Sequence, residues 1–139
     1  TVISKHFEMG QGTTTGLTTL IAEELDANWL TTKVEFAPAD AKKYANLEWG
    51  SAQGTGGSRS MPNSFLQYRE AGAAAREVLV KAAAKKWAVS ESSIGVSDGY
   101  LFANGNKAHF GDFIDEAANF TPSKKPILKD PKNFKLIGK

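Results

Sequence analysis

Apolar and polar residues alternate along the first 40 positions in a way that predicts a strand, a helix and a second strand. Residues 1–7 contain Val2, Ile3 and Phe7 and are typical of a short strand. Residues 13–28 repeat apolar positions every three or four residues, which is the spacing of a helix with one buried face. Residues 31–38 alternate apolar and charged side chains, which predicts a half-buried strand.

The second half of the chain predicts a long helix, a hairpin and a tail. Ser60 is a good N-cap and Pro62 fits the first helical turn, so a helix is expected to begin there and run to Trp87. The apolar and small residues that recur along it are explained by ordinary helix packing. A turn signal at Asn104-Gly105 predicts a small β-hairpin. A short helix and an extended tail, residues 121–139, complete the chain.

This order of elements predicts an α/β (α+β) fold, with a mixed sheet covered by helices on one face. A chain of 139 residues, 41% of them hydrophobic, is long enough for one core and short for two, so residues 1–139 are treated as a single segment. Because the chain opens at Thr1 in strand-like sequence, we expect it to be part of a longer subunit. The apolar side chains of the tail need cover, which favours a homodimer of the isolated segment.

Composition excludes several classes of site and leaves the compartment open. The net charge of +2 is spread along the chain, so nothing indicates nucleic-acid binding. The absence of cysteine excludes disulfides, thiolate metal sites and iron–sulfur ligation within these residues. No apolar run reaches the ~20 residues of a membrane span. The compartment therefore stays undetermined, with cytoplasm and periplasm both open.

Two glycine-rich loops, residues 8–15 and 50–60, each lead into a predicted helix. A glycine-lined turn at a helix start presents backbone N–H groups at the positive end of the helix dipole, which suits phosphate or a metal oxo group. In the second loop Arg59 offers a bidentate fork, and Ser58 and Ser60 add hydroxyls. Two explanations stay open: an anion or cofactor site, or glycines that only make tight turns.

Other chemistry is weakly supported. Neither loop has the spacing of a Walker A or dinucleotide-binding motif. His6 and His109 are the only histidines, and we assign them structural or solvent-facing roles rather than metal binding. No serine-nucleophile motif is present. Glu23 and Glu24 are assigned to the solvated outer face of the first helix. Catalysis by this chain alone is therefore not indicated.

Five segments together carry a family resemblance that none of them carries alone. They are Glu8-Met9-Gly10-Gln11-Gly12, Ala22-Glu23-Glu24-Leu25-Asp26, Thr55-Gly56-Gly57-Ser58-Arg59-Ser60, Ala71-Gly72-Ala73-Ala74-Ala75-Arg76 and Leu128-Lys129-Asp130-Pro131. In this order they resemble the molybdenum hydroxylases of the xanthine dehydrogenase and aldehyde oxidase type, and within them the large subunit of isoquinoline 1-oxidoreductase type. The resemblance covers essentially the whole chain.

The resemblance implies a molybdopterin-binding segment. Gly10, Gln11 and Gly12 map onto the loop at the molybdenum, where the Gln11 side chain lies near an oxo ligand and is the candidate catalytic residue. The second loop maps onto the cradle for the pterin and its phosphates, with no direct metal ligand. Its implied cofactor-binding residues are Gly56, Gly57, Ser58, Arg59 and Ser60. In bacterial members the cofactor is often the cytosine dinucleotide form.

Such enzymes hydroxylate N-heterocycles or aldehydes with oxygen from water and pass electrons to iron–sulfur clusters. The resemblance therefore implies two partners, the remainder of the large subunit and an iron–sulfur small subunit. The family's glutamate base, found in a Gly-x-Gly-Glu context, has no counterpart here, so the isolated segment is expected to be inactive and to carry no cofactor. The alternative function is a non-enzymatic module for anion binding or subunit assembly.

Overall fold

A computed structural model describes residues 1–139 as four helices, five strands and short 3₁₀ turns. The α/β class predicted from the sequence is confirmed. In chain order the helices and strands are β1 (Val2–Ser4), α1 (Thr13–Leu25), β2 (Val34–Phe36), α2 (Ala41–Tyr44), α3 (Ser60–Trp87), β3 (Gly95–Ser97), β4 (Tyr100–Ala103), β5 (Asn106–His109) and α4 (Ile114–Ala117). None of the helices has both the length and the apolar composition needed to cross a membrane.

The strands form two separate sheets, whereas one mixed sheet was expected. β1 and β2 are parallel and are connected through α1, with Val2 opposite Val34. β3, β4 and β5 form an antiparallel meander, so the predicted hairpin gains a third strand. Asp98 and Asn104 have positive φ before the glycines of the two tight turns, which is the geometry such turns require.

The packing of α1 on α3 organises the first half of the molecule. Gly16 of α1 faces Met61 of α3, and Ile21 of α1 faces Gly72 of α3. Both contacts advance in the same direction along the two helices, so α1 and α3 are parallel and their N-termini lie side by side. A Cβ atom at Gly72 would lie 2.8 Å from the Ile21 carbonyl oxygen, so only glycine permits this approach.

Two apolar clusters fill the interior. The cluster under β1 joins the first strand to both helices and consists of Val2, Leu17, Leu20 and Tyr68. The other joins the C-terminal half of α3 to the meander and α4, and consists of Leu79, Ala82, Ala83, Leu101, Phe113 and Ala117. The long helix α3 therefore spans both clusters and connects the parallel sheet with the meander.

The assignment of Glu23 and Glu24 to a solvated helix face is wrong, because both side chains are fully buried. Glu23 accepts backbone N–H bonds from Lys135, Leu136 and Ile137 at 2.6 to 3.1 Å, and the Lys129 amine lies 3.0 Å away. Burial raises the pKa of Glu23, but these backbone donors together outweigh burial and hold the pKa below its ordinary value.

Glu24 holds the tail as well, and we call Glu23 and Glu24 with their tail contacts the tail clamp. Its carboxylate lies 2.6 Å from the Arg69 guanidinium of α3 and accepts the backbone N–H of Lys129 at 2.8 Å. The tail is therefore held against α1 and α3 by carboxylates that face away from solvent. Leu128, Phe134 and Ile137 are half-buried as a result, whereas Ile127 is exposed. The proposed homodimer stays a prediction.

We expect Glu23→Gln and Glu24→Gln to destabilise the fold strongly. Removing one partner of a buried, hydrogen-bonded ion pair costs roughly 3 to 5 kcal/mol. Glu70→Gln is the matched control, because Glu70 is only half-buried and makes no ion pair. Urea unfolding of the three variants measures the difference, and equal midpoints for Glu23→Gln and Glu70→Gln would contradict the clamp.

Candidate functional site

The two glycine loops meet at Thr55. The Thr55 hydroxyl accepts the backbone N–H of Phe7 at 2.9 Å and lies 3.3 Å from Nδ1 of His6. His6 and Phe7 come directly before the first loop, and Thr55 lies inside the second. Because α1 and α3 are parallel, the helices that follow the two loops also begin side by side. The sequence-predicted loops therefore lie at one end of the molecule.

His6 is the buried centre of this junction. Its Nε2 lies 3.0 Å from the Ser64 hydroxyl and 3.3 Å from Oδ1 of Asn63. Since an amide oxygen only accepts, we assign the proton to Nε2, and Nδ1 then accepts the Thr55 hydroxyl proton. Burial lowers the pKa of His6, the hydrogen bond to Asn63 partly opposes it, and the positive charge of Lys5 adds to the lowering. The neutral imidazole therefore joins the loops, in agreement with a structural role.

Asn46 supports the second loop from below and is fully buried. Its amide donates to the Gly54 carbonyl at 3.2 Å, and its Oδ1 accepts from the Asn63 amide at 2.7 Å and from the Glu48 backbone at 3.0 Å. Sequence reasoning overlooked Asn46 and Asn63 and gave no separate role to Thr55. No motif marks the two asparagines, because a buried amide and an exposed one look alike in a single sequence.

The first loop is filled by its own carboxylate. Glu8 accepts the backbone N–H groups of Gly10 at 2.8 Å, Gly12 at 2.9 Å and Thr14 at 3.0 Å, and also the Thr14 hydroxyl at 2.9 Å. The donors of Thr14 and Gly12 lower the pKa of Glu8 to about 2. The expectation that this loop presents unblocked N–H groups is wrong for Gly10 and Gly12. Their part in cofactor binding stays a prediction.

Gln11 uses its side chain to brace the same loop. Its Oε1 accepts the Met9 backbone N–H at 2.5 Å, and its Nε2 donates to the Phe7 carbonyl at 2.7 Å. A primary amide has two N–H donors, so one Nε2 hydrogen remains for a ligand. Gln11 is exposed, as a ligand-contacting residue must be. Its catalytic role stays a prediction.

The second loop contrasts with the first because its donors remain open. The backbone N–H groups of Gly57, Ser58, Ser60 and Met61 have no partner within the chain. Ser60 is the first residue of α3 and not its N-cap, and the Arg59 side chain that precedes it makes no capping bond either. The expected N-cap at Ser60 is therefore wrong. No protein group occupies the positive end of α3.

Arg59 lies at the rim of this loop in an ion pair. Its Nε and Nη2 donate to the Glu48 carboxylate, both at 2.6 Å, and this bidentate contact raises the pKa of Arg59. The Nη1 group makes no hydrogen bond within the chain and is free to donate to a ligand. The fork expected to hold phosphate is thus oriented by Glu48, and its contact with a ligand stays a prediction.

Glycines in the second loop serve two different purposes. The indole of Trp49 lies against Gly54 and Gly56, and a Cβ atom at Gly54 would approach it to 2.4 Å. These two glycines make room for a side chain of the same loop. Gly57 has a φ of +63° and makes the turn into α3. Gly56 and Gly57 stay candidates for cofactor contact through their backbone only.

Sequence comparisons identify the family. A family model described as the molybdopterin cofactor-binding domain matches residues 1–135. The chain belongs to this family. The chain is 37% identical over 116 residues to the beta subunit of isoquinoline 1-oxidoreductase from Brevundimonas diminuta. The matched region covers 81% of the chain and 15% of that protein.

A second relative is named for a different activity. The chain is 32% identical over 136 residues to the membrane-bound aldehyde dehydrogenase [pyrroloquinoline-quinone] of Gluconacetobacter polyoxogenes. The matched region covers 94% of the chain and 17% of that protein. The chain thus spans less than a fifth of the length of both relatives. The family resemblance predicted from the five segments is confirmed.

The donor set of the molybdopterin-binding domain fits the phosphate end of its cofactor. The second loop combines open backbone N–H groups, a free Arg59 Nη1 and the hydroxyls of Ser58 and Ser60. The first loop offers one amide hydrogen of Gln11, and the Glu8 carboxylate excludes a further anion there. No cluster of His, Asp and Glu residues suited to a metal ion is present.

We expect His6 to make stability fall as the pH drops below about 6.5. Its pKa in the folded chain lies below the ordinary value of 6.5, so the unfolded chain binds more protons in the window between the two pKa values. One proton changes the unfolding free energy by at most ~1.4 kcal/mol per pH unit. Stability is unaffected by this group above the window.

The His6 effect is measured by unfolding as a function of pH. His6→Asn should lower stability near pH 7 and flatten the acid slope. His109→Gln leaves His6 in place and should keep that slope, which makes it the matched control. An unchanged slope in His6→Asn would contradict the assignment of a neutral, buried His6.

Proposed function

We propose that this chain holds the phosphate end of molybdopterin at the N-terminus of α3 in an oxidoreductase. The observation that supports this most is the contrast between the two helix starts. Glu8 accepts the N–H groups of Gly10, Gly12 and Thr14 at the start of α1, whereas no carboxylate accepts those of Gly57, Ser58, Ser60 and Met61 at the start of α3. An anion is stabilised by open donors at a helix N-terminus and repelled by a carboxylate.

Each residue of the second loop contributes a different contact in this proposal. Gly57 allows the turn that leaves the following N–H groups without partners in the chain, and Ser58 and Ser60 add hydroxyl donors. Arg59 donates through Nη1 while Glu48 fixes the plane of the guanidinium. Gly56 supplies backbone beside Trp49. Together these groups bind and orient a phosphate without a metal ligand from the chain.

Gln11 acts at the other end of the ligand in this proposal. The first loop is braced by Glu8 and by the Gln11 amide itself, so the remaining Nε2 hydrogen has a fixed direction. When bound, the cofactor supplies the redox centre for hydroxylation of an N-heterocycle or aldehyde with oxygen from water. A single preorganised donor at that centre stabilises charge that develops on oxygen.

The finer parts of the proposal rest on the relatives. The name of the relative from Brevundimonas diminuta favours an N-heterocycle, and that of the relative from Gluconacetobacter polyoxogenes favours an aldehyde. We propose the remainder of the large subunit and an iron–sulfur small subunit as partners, because one relative is itself named as a subunit. The cytosine dinucleotide form of the cofactor belongs to the same proposal. The alternative, a non-enzymatic binding or assembly module, predicts no dependence of turnover on Gln11.

We expect Arg59→Ala and Gln11→Ala to have different effects in the full-length enzyme. Arg59→Ala removes a charged donor to phosphate, so molybdenum content after dialysis should fall about tenfold, the usual effect of losing one charged hydrogen bond. Gln11→Ala removes a donor that acts on the barrier, so turnover per molybdenum should fall while the metal content stays. Metal analysis and turnover are measured on the same samples.

Glu48→Ala is the matched control for Arg59. It removes the partner that fixes the guanidinium plane and keeps the charged donor, so molybdenum retention should fall less than in Arg59→Ala. A loss in Glu48→Ala equal to that in Arg59→Ala would assign Arg59 a structural role. Full turnover per molybdenum in Gln11→Ala would remove Gln11 from the site.

A further inference from the structure

Strand β2 is exposed on the face that its apolar residues predict to be buried. Val34 and Phe36 alternate with the charged residues Lys33 and Glu35, which predicts one buried face. In the structure all three residues of β2 are exposed, with 41% of Val34 and 49% of Phe36 accessible. The expectation of a half-buried strand is therefore wrong for the chain by itself.

Strand β2 is exposed because helix α1 covers β1 and does not extend over β2. Val2 is paired with Val34 and points to the same side of the sheet, and only 6% of Val2 is accessible because Leu17 and Leu20 of α1 cover it. No helix packs extensively on β2, so Val34 and Phe36, which lie on the covered side of the sheet, stay exposed. Phe7 packs on Phe36 at 5.6 Å between ring centroids and is itself 53% exposed.

The outer edge of β2 also has free backbone groups. The Val2 N–H donates to the Lys33 carbonyl at 2.7 Å, and the Ala37 N–H donates to the Ser4 carbonyl at 2.8 Å. In a parallel pair alternate residues face the neighbouring strand, so the N–H and C=O groups of Val34 and Phe36 point away from β1. A two-stranded parallel sheet with an open edge and an uncovered apolar face is rare, because parallel sheets are normally buried on both faces.

We propose that an extended segment from the remainder of the large subunit adds to β2 as a third strand. This rests on the proposed function, in which the chain is one part of such a subunit. The relatives are more than five times as long as the matched region, so the missing cover has an ample source in the same polypeptide. The segment pairs with the outward groups of Val34 and Phe36 and places apolar side chains beside Phe36 and Phe7.

Hydrogen exchange of the full-length subunit tests this at single-residue resolution. The Glu35 and Ala37 amides face β1 and are internal controls. If a strand adds to β2, the Val34 and Phe36 amides exchange as slowly as those controls. If Val34 and Phe36 exchange at the unprotected rate while Glu35 and Ala37 stay slow, the proposal is overturned. Protection that appears only at dimer-forming concentrations would replace the segment by a second copy of the chain and also overturn it.

A proline substitution gives an independent test. Among the backbone donors of β2, Val34→Pro removes an outward N–H and none that faces β1, a change that a solvent-facing edge tolerates and an added strand does not. We expect Val34→Pro to lower the melting temperature of the full-length subunit well beyond Val34→Ala, which controls for the lost side chain. Equal melting temperatures of the two variants would contradict the added strand. Neither measurement depends on cofactor binding, so its outcome is separate from that of the Arg59 and Gln11 variants.

Discussion

The close parallel packing of α1 on α3 is the constraint on which the other features depend. Gly72 permits it, because any side chain there would collide with the Ile21 carbonyl. Parallel helices place two N-termini at one end, and that end receives both glycine loops. The same packing brings Glu24 of α1 to Arg69 of α3, so the site and the tail clamp both follow from one helix contact.

Backbone N–H groups accepted by carboxylates recur in this fold. Glu8 closes the first loop in this way, and Glu23 holds three successive residues of the tail. Such contacts lower the pKa of both carboxyl groups, so each stays ionised at neutral pH. Segments without regular secondary structure thereby obtain partners for their backbone groups, which is a general requirement for an ordered chain.

Sequence patterns predicted the elements better than their environments. The helical spacing of residues 13–28 predicted α1, and the turn signal at Asn104-Gly105 predicted the hairpin of β4 and β5, because both depend on local backbone preferences. The burial of individual residues was predicted less well: Glu23 was expected to be exposed and is buried, and Val34 was expected to be buried and is exposed. Whether a residue is buried depends on the elements that pack over it, and the tail reaches Glu23 from more than 100 positions away along the chain.

The same limit applies to the candidate site. The two glycine loops were recognisable because glycines directly before a helical segment indicate a tight turn of the backbone at the start of the helix. The His6 to Thr55 junction was not, because it joins residues 49 positions apart whose contact no motif indicates. The closure of the first loop by Glu8 was also not predicted. Glu8 lies only six positions before Thr14, but its sequence context is that of any surface glutamate.

The Glu8 carboxylate makes the electrostatic potential at the start of α1 different from that at the start of α3. Two bare N-termini side by side would form a symmetric positive surface, on which an elongated anion has two equivalent orientations. With one terminus neutralised by a built-in counter-charge and the other left open, the surface is a dipole with its positive end at α3. A long ligand charged at one end therefore meets a surface that selects its polarity before any specific contact forms.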